Sequence, residues 1–152
     1  MTMQTAGIHH ITAIVGHPQE NVDFYAGVLG LRLVKKTVNF DDPGTYHFYF
    51  GDEGGNPGTI ITFFPWAGAR QGKIGDGQVG VTTYVVPVGS FSFWENRLEK
   101  FNINFAKEER FGEQYITFTD SHGLKLELVE REEGELNRWT IGEVTEEVAI
   151  KG

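Results

Sequence analysis

A chain of 152 residues, 39% hydrophobic and 22% charged, has the size and balance of one globular domain, which excludes a disordered chain or a membrane-spanning bundle. The formal charge of -8 excludes nucleic acid as a partner, because phosphate recognition needs clustered Lys and Arg and the local pair Lys35-Lys36 is too small a cluster. Cysteine is absent, which removes disulfides, thiolate nucleophiles and thiolate metal sites and leaves His, Asp and Glu as the strong ligands.

Met1 to Gln4 lacks a basic region followed by an apolar run, and no stretch approaches the roughly 18 apolar residues of a spanning helix. The expectation is a cytoplasmic protein with no membrane contact. Gly7 to Val15 alternates Ile8, His10, Thr12 and Ile14 with His9, Ile11, Ala13 and Val15, as a strand packed on both faces does. Beyond Gly16-His17-Pro18, the proline and Glu20 favour a helix start. Val22, Phe24, Tyr25, Val28 and Leu29 then recur at helical spacing until Gly30. Extended runs follow at 31–40, 45–51 and 59–66, separated by Asp41-Asp42-Pro43-Gly44 and the Gly-rich segment 52–58.

After a Gly-rich connection at 68–77 the same order returns: a strand at 78–87, a helix at 90–101, and extended runs at 103–110, 114–119 and 124–131. Gly80 stands 70 positions after His10, Trp94 to Leu98 stand 70 after Phe24 to Val28, and Glu127 and Thr62 match in the two closing strands. Repeated units that cannot bury a sheet face alone pair with a neighbour. The reading is therefore α+β, two paired βαβββ modules (7–67 and 77–131) forming a cupped mixed sheet around a ligand cavity, with a tail at 132–152 that turns β-prone from Val144 to Ile150.

Ile8-His9-His10-Ile11-Thr12, Asn21-Val22-Asp23-Phe24-Tyr25 and Val28-Leu29-Gly30-Leu31 resemble the opening of a vicinal oxygen chelate module, and Phe118 to Leu128 resembles the closing of one. This is the superfamily of glyoxalases, bleomycin-resistance proteins and extradiol dioxygenases. The segments Tyr46 to Asp52 and Pro57 to Trp66 are similar to the N-terminal half of ring-cleaving dioxygenases of the hydroquinone and catechol type. Those relatives carry four modules against two here, and Val148 to Gly152 resembles the start of a third.

The resemblance implies a divalent metal, Fe(II) or Mn(II), an aromatic diol as the small-molecule substrate, and metal ligands at His10 and Glu127. Thr62 and Gly80 occupy the other two ligand positions and offer poor ligation or none. A further histidine would come from a missing C-terminal half or from a second copy in a homodimer. The tyrosine expected ten residues before Glu127 is replaced by Thr117, which makes Tyr115, two residues earlier on the same face, the substitute catalytic group. His47 is a candidate base, weighed against a packing role. His17 and His122 fall in turns and read as solvated. Parity places Lys125, Glu127 and Val129 on the cup face if Leu124, Leu126 and Leu128 face the helix, and a buried Glu127 there needs a metal or a cation partner. The alternatives are a metal-free module that holds aromatic compounds, and a glyoxalase-like lyase.

Overall fold

The computed structural model describes residues 3–152. The first module runs β1 (His10–Val15), α1 (Pro18–Val22), a π-helical turn (Asp23–Val28), β2 (Arg32–Val38), β3 (Tyr46–Gly51) and β4 (Ile60–Pro65). The second runs β5 (Thr82–Val86), α2 (Phe91–Lys100), β6 (Phe105–Arg110), β7 (Glu113–Thr119) and β8 (Lys125–Glu130). Each module folds into a four-stranded mixed sheet, ordered β1-β4-β3-β2 and β5-β8-β7-β6, with the first and last strands of each module parallel and the other neighbours antiparallel. The α+β reading holds. Among the described residues no helix is long and apolar enough to cross a membrane.

Alternation decides which face each strand buries. Phe48, Phe50, Ile61 and Phe63 of the first sheet and Tyr84, Ile116, Phe118, Leu126 and Leu128 of the second enter one core together with Phe24, Tyr25, Trp94 and Leu98 from the helices. The modules thus share a single hydrophobic interior. Phe24 lies 6.4 Å from Phe118 between ring centroids, and the buried Tyr25 hydroxyl donates to Asp120 Oδ2 at 2.9 Å. Arg97 on α2 reaches back to the first module, where its Nε and Nη2 donate to Val28 O (2.6 Å) and Gly27 O (2.8 Å), carbonyls at the end of the first helical segment.

The first helix departs from the sequence expectation. It is α-helical for one turn and then widens, with Leu29 N bonded to Phe24 O at 3.0 Å in the i to i+5 pattern. Phe24, Tyr25, Val28, Leu29 and Leu31 are all buried, whereas Val22 is only half-buried. Packing this broad apolar surface against sheet and neighbouring helix overrides the 3.6-residue period.

The tail also departs from expectation. Val144 to Ile150 makes no strand: Ile141 and Val144 form an isolated bridge, followed by a turn. Its apolar residues act as a plug instead, with Val144, Ala149 and Ile150 buried in the shared core. Trp94 Nε1 donates to Val148 O at 3.0 Å, and Asn137 Nδ2 donates to Ile150 O at 3.0 Å. The last residues then lie along the open edge of β5, through Lys151 N to Val85 O (2.8 Å) and Val85 N to Gly152 O (2.7 Å).

Candidate functional site

On each sheet the candidate site residues lie on the face turned away from the core. In the first module Thr12 pairs with Thr62 across the parallel strands, and their hydroxyls lie 2.8 Å apart. His10, two residues before Thr12, has the same parity and is exposed, as the alternation of β1 predicts. His9 precedes the strand and is exposed as well, and its Nδ1 lies 3.0 Å from Nδ1 of His10.

The other groups of this face come from β2, β3 and β4. His47 stacks on Phe64 with ring centroids 4.0 Å apart, its Nδ1 is 3.0 Å from the Tyr49 hydroxyl, and its Nε2 is buried without a partner. Lys35, opposite Tyr49, holds its ammonium 5.3 Å from the centre of the Tyr49 ring. Burial of the imidazole, then the nearby Lys35 and His10, push the pKa of His47 below its usual range and favour the neutral ring. Alternation of His47 and Tyr49 on one strand is what places both on this face.

The second sheet presents a different constellation. Lys125, Glu127 and Val129 face away from the core, as parity requires once Leu126 and Leu128 enter it. Glu127 is 5% exposed, and its carboxylate is taken: Oε2 accepts from Arg110 Nη2 (2.7 Å) and Thr83 Oγ1 (2.9 Å), and Oε1 from Arg110 Nη1 (3.3 Å). The Arg110 guanidinium lies 4.7 Å from the centre of the Tyr115 ring, and the Tyr115 hydroxyl donates to Glu108 Oε2 at 2.6 Å. That hydrogen bond, with burial adding to it, raises the phenol pKa and holds Tyr115 as a neutral donor. A cavity of about 490 Å³ opens here, lined by Glu127, Tyr115, Glu108, Thr117, Lys125 and Val81 among others.

The four residues singled out in the sequence therefore fall into two groups, His10 with His47 on the first sheet and Glu127 with Tyr115 on the second. Among the described residues no hydrogen bond or ion pair joins the groups, and no three His, Cys, Asp or Glu side chains come together as a metal cage. The described residues do not fit a complete two-histidine-one-carboxylate site. Arg110 was not expected as a partner of Glu127. The signal that points to it is the antiparallel register Glu108↔Tyr115 and Thr117↔Glu127, which puts Arg110 on the same face as the carboxylate.

Register also corrects the repeat. Thr62 opposes Thr12 and Glu127 opposes Thr83, so if Thr62 and Glu127 are equivalent, His10 matches Val81, one residue beyond the Gly80 assigned by spacing. By the same rule Tyr49, opposite Thr62, matches Thr117, opposite Glu127. The first module thus carries a tyrosine where the second carries threonine. His122, expected in solvent, is half-buried and accepts from His17 N at 3.1 Å, while His17 is exposed and caps α1.

Comparison with known proteins places these features among relatives. Residues 7–128 match the family described as the Glyoxalase/Bleomycin resistance protein/Dioxygenase superfamily. The chain is 79% identical over 152 residues to a Bacillus subtilis (strain 168) protein named "Putative ring-cleaving dioxygenase MhqO", covering 100% of this chain and 49% of the relative. It is 40% identical over 151 residues to the chlorohydroquinone/hydroquinone 1,2-dioxygenase of Sphingobium indicum (strain DSM 16413 and its synonyms), covering 96% of this chain and 47% of the relative. A crystal structure from Bacillus subtilis subsp. subtilis str. 168, described as a putative dioxygenase, superposes with a TM-score of 0.97 at 79% identity, over 99% of this chain and 49% of that one. The chain spans about half the length of these curated relatives.

Proposed function

Because the chain belongs to the glyoxalase, bleomycin resistance protein and dioxygenase superfamily, we propose that it forms half of a metal-dependent ring-cleaving dioxygenase acting on an aromatic diol such as a hydroquinone or catechol. The observation that carries this reading is the exposed His10 imidazole at the start of β1, on a face that also presents His47 and Tyr49, with no carboxylate bonded to it among the described residues. Relatives named as ring-cleaving and hydroquinone dioxygenases support the substrate class.

In this reading His10 is the ligand the chain contributes to an Fe(II) or Mn(II) ion, and the remaining ligands come from the second half of a longer protein or from a partner chain. His47 is the proton acceptor. With Nδ1–H given to the Tyr49 oxygen, the unpartnered Nε2 is the basic nitrogen, and the depressed pKa keeps it free of a proton near neutrality. Phe64, stacked on His47, holds the ring in place. Tyr115 lies on the second sheet, where its hydroxyl is engaged by Glu108 of the neighbouring strand.

The test is a chimera joining residues 1–152 to the part of the 79%-identical Bacillus subtilis relative that the chain does not span. Oxygen uptake with hydroquinone and metal content by plasma mass spectrometry are measured on the parent, His10→Ala and His47→Gln. His10→Ala is expected to lose metal and turnover together, whereas His47→Gln keeps the metal and slows turnover by roughly 10²- to 10⁴-fold. Full metal content and turnover in His10→Ala would sink the reading.

A further inference from the structure

We propose that the Arg110 guanidinium takes the place of a metal ion at Glu127, so that the cavity on the second sheet is closed to divalent cations. A carboxylate as buried as Glu127 needs a compensating positive charge. In the repeated module pattern that charge would be a metal; here the chain supplies it from β6. The guanidinium meets both carboxylate oxygens side by side, the arrangement for which its planar donors are suited, and Thr83 adds a third hydrogen bond from β5.

The guanidinium is itself held. Its planar group lies against the Tyr115 ring, and Tyr115 is fixed through its hydroxyl to Glu108. Thr83, Glu127, Arg110, Tyr115 and Glu108 thus form one chain of contacts across β5, β8, β6 and β7. A divalent ion arriving at Glu127 would have to displace a charge-matched partner and would then find few other ligands. The residues beside Glu127 on this face are Thr83 across β5, Thr117 across β7, and Lys125 and Val129 on its own strand. None is a histidine or carboxylate, Lys125 is itself a cation, and the one further carboxylate lining the cavity, Glu108, is engaged by Tyr115. The carboxylate that sequence pattern marks as a ligand is therefore an ion-pair partner, and this assignment stands whether or not His10 binds a metal.

The experiment titrates the chain with Mn(II), following free Mn(II) by its EPR signal, and compares wild type with Glu127→Gln and with Thr83→Val, which removes one hydrogen bond and keeps the ion pair. Both variants are expected to bind the same number of Mn(II) ions as wild type, with affinities within about twofold. Loss of a bound ion, or weakening of about tenfold or more in Glu127→Gln, would overturn the assignment. Thermal melting in the presence of EDTA gives an independent reading. Arg110→Ala should melt below wild type, and adding Glu127→Gln should raise the melting temperature again, because it removes a buried charge left without its cation. A double variant no more stable than Arg110→Ala would contradict the proposal. Loss of Mn(II) binding in His10→Ala bears on the dioxygenase reading alone, so the two ideas fail separately.

Discussion

His47 shows how one side chain can be both a packing residue and a candidate base. Stacking on Phe64 and the hydrogen bond to Tyr49 hold the ring, and the same burial, with Lys35 and His10 nearby, favours its neutral form. Its folded pKa lies below the ordinary value of 6.5, so the folded state binds fewer protons than the unfolded chain just below that value. The sign follows: stability from this group is fully present above the unfolded pKa and is lost as pH falls through the folded one. In melting curves between about pH 7 and about pH 5, wild type should lose more stability than His47→Gln. Equal losses in the two proteins would show that His47 does not titrate as its surroundings dictate.

At the scale of elements, the π-helical turn and the tail fit one another at Gly30. The chain leaves the first helix there at φ +71°, a conformation glycine enters without penalty, and an added Cβ would lie 2.8 Å from the methyl groups of Val144. Gly30→Ala therefore meets a backbone cost and a clash with a fully buried valine. An expected loss of about 2 to 4 kcal/mol in unfolding free energy is measurable by chemical denaturation. A loss below roughly 0.5 kcal/mol would mean that the tail yields freely and is not part of the core. The β-bulge in β2 is a second local device: the register shifts between Leu33 and Lys35, leaving Val34 outside the pairing and restoring Lys35 opposite Tyr49.

Over the whole molecule, polar contacts between modules supplement the shared apolar core. Arg97, 7% exposed, ties α2 to the carbonyls of Gly27 and Val28 and, through Glu143, to the tail. Burial lowers its pKa, and Glu143 opposes that shift. Asn137 performs a similar joining role from the tail: its Oδ1 accepts from Glu53 N in the first module, while its Nδ2 holds Ile150 O. Replacing Arg97 with Leu removes two hydrogen bonds to helix-end carbonyls and leaves the buried Val28 carbonyl without its donor. The expected cost is about 2 to 4 kcal/mol, read from equilibrium unfolding. If the modules were independent, the variant would instead show two separate transitions, with the first module unchanged.

Strand positions, the duplicated βαβββ order and the faces of the strands were legible in the sequence, because a period of two and glycine-rich turns are local properties. His10, Glu127 and the His47–Tyr49 pair were legible as side chains of particular faces for the same reason. Spacing alone put the match of His10 one residue off, since hydrogen-bonded register between distant strands defines the true equivalence. Partner choice was decided only in three dimensions. That Glu127 meets Arg110, that the first helix widens, and that an apolar tail enters the core instead of forming a strand all depend on contacts between residues far apart in the chain, and local pattern carries no information about which distant charge or cavity a side chain will meet.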